Sequence, residues 1–254
     1  MIEHLVPPAV RSRVAYGDEL DHAPLFPEEA EAITKAVAKR RAEYTAGRAC
    51  ARAALAAFGA PSGPILRDAR RGAPVWPAGF VGSITHTEGY RAAAVARAGD
   101  ILTLGIDAEP HGPLPDGVLD VILATPAEQA ALDRLTAEHP AFRWDRLLFS
   151  AKETVYKAWY PFHRRMLGFK EAELLFTRDP DTAAGPAGGP AAGPRTAAGT
   201  PGAPGGLADG SGTYTARLLI PGPLLAEGVG PDVFTGRWIV RDGYLATAIV
   251  VPNE

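Results

Sequence analysis

The chain has 254 residues, of which 46% are hydrophobic and 22% charged, so it can form one large globular domain or two smaller ones. Its formal net charge of −3 argues against nucleic acid as the main partner, because proteins that bind nucleic acid are usually strongly basic. The single cysteine, Cys50, excludes an internal disulfide and a cysteine-based metal cluster. No stretch has the pattern of an export signal or the roughly eighteen apolar residues of a membrane span, so we expect a cytoplasmic protein without membrane contact.

Two helices are predicted in the first quarter of the chain. The first covers residues 30–41 and follows Pro27, which suits the first turn of a helix. The second covers residues 43–58, is rich in alanine and ends at Gly59, a residue type that favours helix ends.

Arg48 and Arg52 lie four residues apart in the second helix and therefore share one of its faces. Together they could hold one anionic ligand, or they could be two solvated arginines on a helix surface. Local spacing leaves both alternatives open.

A β-hairpin is predicted next. Residues 81–86 and 90–97 have strand patterns, and the turn between them contains Gly89, which accepts the positive φ that such a bend often requires. Residues 101–106 are predicted to form a third strand.

A short repeat suggests how the chain is organised. Residues 88–95 match residues 242–249, because a glycine, a tyrosine and two alanines recur at equivalent positions. A chance match is the alternative, since the segment is short. We interpret the repeat as two similar halves, residues 1–103 and 104–254, each with helices packed on a small antiparallel sheet. The predicted fold is therefore α+β, with a pseudo-two-fold axis and the active site between the halves.

The second half contains further signals. Thr125 followed by Pro126 predicts the start of a helix. Residues 179–211 consist almost wholly of Ala, Gly, Pro and Thr, which predicts a disordered insertion, because such a segment cannot bury enough apolar surface to offset the entropy of ordering. Residues 214–220 and 234–251 have strand patterns that complete the second sheet.

A helix predicted over residues 144–160, ended by Pro161, carries the first chemical signal. Glu153 and Lys157 lie four residues apart and share a face. Considered alone, they are most simply a surface ion pair.

A second signal stands at the end of a strand, where Asp107 and Glu109 precede Pro110. Residues two apart in a strand point to the same side, so two carboxylates face one spot. Two solvated acids are the alternative if the pair is considered alone. A cation would relieve their repulsion, and an all-oxygen site favours Mg²⁺ or Mn²⁺. Together with the lysines and arginines, the pair indicates a polyphosphate ligand.

Three motifs occur in a diagnostic order: Gly82-Ser83-Ile84-Thr85-His86, then Gly105-Ile106-Asp107-Ala108-Glu109, then Phe149-Ser150-Ala151-Lys152-Glu153-Thr154-Val155-Tyr156-Lys157-Ala158-Trp159. A basic segment, Lys39-Arg40-Arg41-Ala42-Glu43-Tyr44, supports them. In this order the motifs resemble the 4′-phosphopantetheinyl transferases, specifically the larger monomeric type that modifies siderophore, peptide and polyketide synthases. The resemblance covers most of the chain except the insertion.

The resemblance implies transfer of 4′-phosphopantetheine from coenzyme A to a serine of an apo acyl or peptidyl carrier protein, with release of adenosine 3′,5′-bisphosphate. It implies Mg²⁺ held by Asp107, Glu109 and Glu153, with Mn²⁺ as a substitute. Glu153, or a water that it orients, would be the base, and Lys157 would stabilise or protonate the leaving phosphate.

The resemblance also implies a set of residues for coenzyme A. Arg48 and His86 would clamp the 3′-phosphate, and Lys152 would add positive charge at the pyrophosphate. The full set comprises Arg48, Arg52, Arg71, Thr85, His86 and Lys152.

Other readings of the same residues stay open at this point. A Mg²⁺-dependent hydrolase of coenzyme A or another nucleotide would share the metal site, and a coenzyme A-binding module would bind without turnover.

Ala108 offers only its backbone between the two acids, so a water would take the open metal position. Residues 114–123, with Arg164 and Arg165, form a hypothetical docking surface for the carrier protein, although the apolar run could equally be core.

Overall fold

The protein, seen in a computed structural model, is described over residues 1–180 and 209–253. In these ranges the first sheet contains β1 (Val10–Tyr16), β2 (Phe80–Thr87) and β3 (Tyr90–Arg97). It is antiparallel, with β3 between β1 and β2. The second sheet contains β4 (Ile101–Pro110), β5 (Ala172–Arg178), β6 (Gly210–Leu218), β7 (Phe234–Arg241) and β8 (Tyr244–Pro252). It is also antiparallel, and its strand order is β4-β8-β7-β6-β5. The helices are α1 (Pro27–Glu31), α2 (Ala38–Ala56), α3 (Val118–Ile122), α4 (Pro126–Glu138) and α5 (Trp144–His163).

Two predicted helix boundaries are wrong. The helix expected over 30–41 ends at Glu31, where the Thr34 hydroxyl donates to the Ala30 and Glu31 carbonyls and competes with helix propagation. Pro161 does not end α5, which continues to His163. Pro161 lacks the N–H that would donate to the Lys157 carbonyl, but the φ of proline is compatible with a helix, so the last residues continue α5 and the chain leaves it at Arg164, whose φ is 52°.

The predicted hairpin over residues 81–97 is present, and the second copy of the repeat also forms a hairpin. β2 and β3 pair across a two-residue turn, and so do β7 and β8. The matched tyrosines of the repeat, Tyr90 and Tyr244, contact each other with ring centroids 5.5 Å apart. The sheets differ in size, with three and five strands in the described residues, so the likeness holds for the hairpins and not for the whole sheets. The pseudo-two-fold relation stays a prediction.

The two sheets meet along β2 and β4, where side-chain hydroxyls replace a backbone ladder. The Ile106 amide donates to the Ser83 hydroxyl and the Ala108 amide donates to the Thr85 hydroxyl, both at 3.1 Å. β4 pairs with β8, so the predicted third strand belongs to the second sheet, and a boundary at 103/104 falls inside it.

Helix α5 packs directly on β4. A Cβ atom at Gly105 would lie 2.4 Å from the Thr154 carbonyl oxygen, so only glycine permits this approach. Three tryptophans, Trp144, Trp159 and Trp238, are fully buried in the core of this half. The close packing places the polar side of α5 beside the carboxylates of β4.

The predicted helix start at Thr125 is confirmed, since its hydroxyl accepts from the Glu128 amide at 3.0 Å. Most of the predicted insertion, residues 181–208, lies outside the described residues. Its ends belong to the β5–β6 hairpin: the Asp179 amide donates to the Ser211 carbonyl at 2.9 Å, and β6 already begins at Gly210. Among the described helices none is long and apolar enough to cross a membrane.

Candidate active site

Asp107 on β4 is the centre of the site. Lys157 on α5 donates to Asp107 Oδ1 at 2.8 Å and to the Ile106 carbonyl at 3.0 Å. The Thr85 hydroxyl donates to the same Oδ1 at 3.1 Å. Asp107 Oδ2 is buried and has no hydrogen-bond partner among the described residues. Lys157 therefore pairs with Asp107, not with Glu153 as a surface ion pair would require.

The other two predicted carboxylates lie nearby in an unfavourable electrostatic environment. Burial raises the pKa of Glu109 to about 7, the Asp107 charge adds to the rise, and Arg146, whose Nη1 lies 3.3 Å from Glu109 Oε2, opposes it. Burial also raises the pKa of Glu153, which Lys157 lowers and Asp107 raises further. The site has more negative charge than its own cations neutralise.

The carboxylates of the site could bind Mg²⁺ or Mn²⁺ together with a phosphate ligand, but they do not form a complete metal site by themselves. Within residues 1–180 and 209–253, no group of three or more His, Cys, Asp or Glu side chains is close enough to hold a metal ion as it stands. Asp107, however, has a buried oxygen without a partner, and Mg²⁺ is commonly held by one or two carboxylates together with waters and substrate phosphates. The residues fit an ion that arrives with its phosphate ligand, not a preformed cage of three carboxylates.

A cleft of about 440 Å³ opens beside these groups. Glu153, Tyr156 and Lys157 line it from α5. Arg71 and Trp76 line it from the opposite side, which belongs to the first half of the chain. The cleft thus lies between the halves, and it offers aromatic surface and cations to one ligand.

Arg48 and His86 lie on the first half. Arg48 is buried: its Nε donates to the Ile65 carbonyl at 2.6 Å and its guanidinium lies 4.3 Å from the centre of the Tyr44 ring. Burial lowers the pKa of Arg48.

His86 has a cationic neighbour. Arg40 Nη1 lies 2.8 Å from His86 Nε2, and because a guanidinium only donates, Nε2 is the acceptor. Burial lowers the pKa of His86, and Arg40 lowers it further while Glu43 raises it, so the ring is neutral near pH 7. Arg40 supplies the positive charge at this position.

Lys152 is the clearest correction to the predicted site. It is 3% exposed, and its Nζ donates to Glu128 Oε2 at 3.0 Å and to three carbonyls at 2.6 to 2.9 Å, those of Ile122, Phe169 and Ala172. A lysine has three N–H groups, so the protein's own acceptors use them all. The prediction that Lys152 contacts a pyrophosphate is wrong.

Arg52 is also engaged within the protein. Its Nη1 lies 2.7 and 2.9 Å from the two oxygens of the buried Glu29, and its Nη2 donates to the Pro24 carbonyl at 2.7 Å. The anion that Arg52 holds is Glu29, so we leave Arg52 out of the ligand site. Thr85, whose hydroxyl hydrogen is donated to Asp107, orients that carboxylate instead of offering a donor to phosphate.

Three residues of the site escaped sequence reasoning. Arg40 lies in the basic segment noted above, so its position carried a signal. Arg146, which binds Glu109, and Tyr160, which lines the cleft, carried none, because each acts through a contact distant in sequence.

Two family models and several known proteins match the chain. Residues 28–96 match the 4′-phosphopantetheinyl transferase N-terminal domain and residues 103–193 match the 4′-phosphopantetheinyl transferase superfamily. The chain is 47% identical over 253 residues to the 4′-phosphopantetheinyl transferase Svp of Streptomyces mobaraensis, covering 99% of this chain and 89% of Svp. It is 40% identical to Npt of Nocardia iowensis, over 98% of this chain and 99% of Npt. It is also 40% identical to PptT of Mycobacterium tuberculosis, over 99% of this chain and 98% of PptT. The chain therefore belongs to the 4′-phosphopantetheinyl transferases and is an enzyme of this type.

Proposed function

We propose that this enzyme transfers the 4′-phosphopantetheine group of coenzyme A to a serine hydroxyl of an apo acyl or peptidyl carrier protein and releases adenosine 3′,5′-bisphosphate. The observation that carries the proposal is the placement of Glu153 and Lys157, one helical turn apart on α5, beside Asp107 at the edge of a cleft between the halves. In this proposal residues 1–103 supply the clamp for the 3′-phosphate and residues 104–254 the reacting groups.

The reaction exchanges the phosphoanhydride bond of the pyrophosphate for a phosphate ester bond to serine. The serine oxygen bonds to the phosphorus on the pantetheine side of the pyrophosphate, and the bond from that phosphorus to the bridging oxygen breaks. The bridging oxygen leaves with the adenosine bisphosphate. The serine proton passes to Glu153, directly or through a water.

Lys157 acts on the leaving side of the reaction. Two of its N–H groups are used by Asp107 and the Ile106 carbonyl, and one is left for a phosphate oxygen. The two fixed acceptors hold the ammonium at the cleft before the substrate arrives, so its charge is preorganised.

Asp107 and Glu109, with Glu153, would hold Mg²⁺ or Mn²⁺. When bound with the pyrophosphate, the ion offsets the negative charge that builds on the leaving phosphate. The partnerless oxygen of Asp107 supports this assignment, and Thr85 and Lys157 fix the carboxylate by its other oxygen.

His86 and Arg48, together with Arg40, form the proposed clamp for the 3′-phosphate of coenzyme A. Arg40 and Arg48 supply charge. Neutral His86 accepts from Arg40 at Nε2 and has its Nδ1–H, 3.5 Å from Glu43 Oε2, as the donor for a phosphate oxygen. Arg71, exposed on the opposite wall of the cleft, is placed to approach the pyrophosphate.

The test is intact-mass analysis of several apo carrier proteins incubated with the enzyme, coenzyme A and Mg²⁺. We expect a mass gain of one phosphopantetheine on at least one carrier and stoichiometric release of adenosine 3′,5′-bisphosphate. No gain on any carrier would contradict the proposal. Release of free phosphopantetheine without a carrier would favour the hydrolase instead.

A further inference from the structure

The turn over residues 67–74, in the first half of the chain, is closed by its own backbone and by one carboxylate oxygen. The Asp68 amide donates to the Ala73 carbonyl at 2.8 Å. Asp68 Oδ1 accepts from the amides of Arg71 and Gly72 at 2.8 and 2.7 Å. Gly72 has a φ of 77°, which favours glycine at this position. The turn is thus rigid and presents Arg71 at its tip.

The other carboxylate oxygen of Asp68 contacts residues outside the turn. Asp68 Oδ2 accepts from the Tyr160 hydroxyl at 2.5 Å and lies 3.5 Å from Arg164 Nη1. Tyr160 is in the last turn of α5 and Arg164 is its C-cap, so both belong to the second half. One aspartate therefore joins the turn to the end of the helix that carries Glu153 and Lys157.

This contact spans the cleft. Arg71 and Trp76 line the cleft from the turn side, and Tyr156, Lys157 and Tyr160 line it from α5. Arg71 is near enough to α5 that its charge lowers the pKa of Tyr156, which burial raises. A change in the distance between the turn and the helix would move Arg71 relative to Lys157.

Resting on the proposed function, we propose that Asp68 and Tyr160 are positioning residues. Their hydrogen bond holds the 67–74 turn against α5 and so sets the distance between the cations on the two walls of the coenzyme A cleft. Neither side chain takes part in the chemical step.

The bond stays intact over a wide pH range. Burial alone would raise the pKa of Asp68, but hydrogen bonds from Tyr160 and the amides of the turn outweigh it and hold the pKa at about 2. The same contact adds to the effect of burial in raising the pKa of Tyr160, so the hydroxyl keeps its hydrogen.

The experiment uses Tyr160→Phe, which removes the hydroxyl and leaves the turn's own hydrogen bonds in place. We expect coenzyme A affinity, measured by titration calorimetry without a carrier, to fall about tenfold, because the turn and Arg71 would then have to be ordered when the ligand binds. The rate at saturating coenzyme A should stay within about twofold of the parent enzyme, because the reacting groups are untouched. Tyr244→Phe is the matched control, since it removes a tyrosine hydroxyl between the halves but outside the cleft.

A double variant sharpens the test. Asp68→Asn keeps an acceptor for the turn and removes the charge, and if both residues act through one bond, Asp68→Asn with Tyr160→Phe should cost less affinity than the sum of the singles. Unchanged affinity in Tyr160→Phe would overturn the proposal, and so would a loss of rate and thermal midpoint without a loss of affinity. Failure of the parent enzyme to modify any carrier would instead overturn the proposed function, because calorimetry does not depend on transfer.

Discussion

The two halves of the molecule bury the same kind of ion pair at the start of a helix. In the first half, Glu29 is the third residue of α1, counted from Pro27, and is fully buried. It accepts from Arg52 of α2 and from the Ile65 amide at 2.9 Å. Arg52 of the long helix α2 therefore anchors the neighbouring helix α1 through Glu29.

In the second half, Glu128 is the third residue of α4, counted from Pro126, and is 1% exposed. It accepts from Lys152 of α5 at 3.0 Å and from the Leu174 amide at 2.8 Å. The arrangement repeats that of Glu29, although the two sheets differ in their number of strands.

The comparison separates two kinds of cation on each long helix. Arg52 and Lys152 satisfy buried carboxylates, whereas Arg48 and Lys157 are assigned to the ligand. The partner of each side chain, not its motif, decides its role. Three substitutions test this division.

The largest effect is expected for Lys152→Met, which leaves Glu128 buried without its cation. Breaking a buried ion pair in this way typically costs about 3–5 kcal/mol, to be measured as the free energy of unfolding in urea. Adding Glu128→Gln, which keeps one acceptor for the Leu174 amide and removes the charge, should recover part of the loss. A single variant as stable as the parent would show that the pair is not structural.

Lys157→Met should reduce transfer strongly and cost less stability than Lys152→Met, because Lys157 is a quarter exposed and its partner Asp107 keeps the hydrogen bond from Thr85. We expect kcat to fall about 10²- to 10³-fold, the range seen when one preorganised charge or donor at a reacting phosphate or carbonyl is removed. Carrier modification followed by mass spectrometry gives the rate, and urea unfolding gives the control. Comparable loss of stability in Lys157→Met and Lys152→Met would erase the distinction between the two lysines.

His86→Ala tests the ligand side of the first half and should have the smallest effect. Coenzyme A affinity should fall about tenfold, and dephospho-coenzyme A affinity should change little, because the lost contact is to the 3′-phosphate. The matched control is Arg52→Met, which should lower both affinities equally or not at all. Equal losses for both ligands in His86→Ala would remove it from the clamp.

Local spacing was enough to predict much of the site. Asp107 and Glu109 share a face of β4, and Glu153 and Lys157 lie only about 40° apart around α5, so short-range geometry fixes both pairs. The hairpins were predictable for the same reason, since a glycine turn and two alternating strands lie within a few residues of each other.

The roles of the other site residues depend on contacts between segments that are distant in sequence. Lys152 and Lys157 are about 140° apart around a helix, so the sequence already argued against both facing one phosphate. That Lys152 would meet Glu128, however, depends on how α4 docks against α5. The same holds for Arg146 beside Glu109 and for Asp68 beside Tyr160, whose partners lie 37 and 92 residues away along the chain.

Asp179 and Ser211, at the two ends of the low-complexity segment, are hydrogen-bonded to each other, and this has a practical consequence. Asp179 and Ser211 exchange two hydrogen bonds, one from the backbone amide of Asp179 and one from the Ser211 hydroxyl at 2.8 Å, so the chain enters and leaves residues 181–208 at one point of the β5–β6 hairpin. If the replacement is itself a flexible linker, the entropy of closing it changes by only about 0.6 kcal/mol for each doubling of its length. This point is therefore suited to grafting: a short turn, an affinity tag or a fluorescent reporter could replace the segment without altering the strands that frame it.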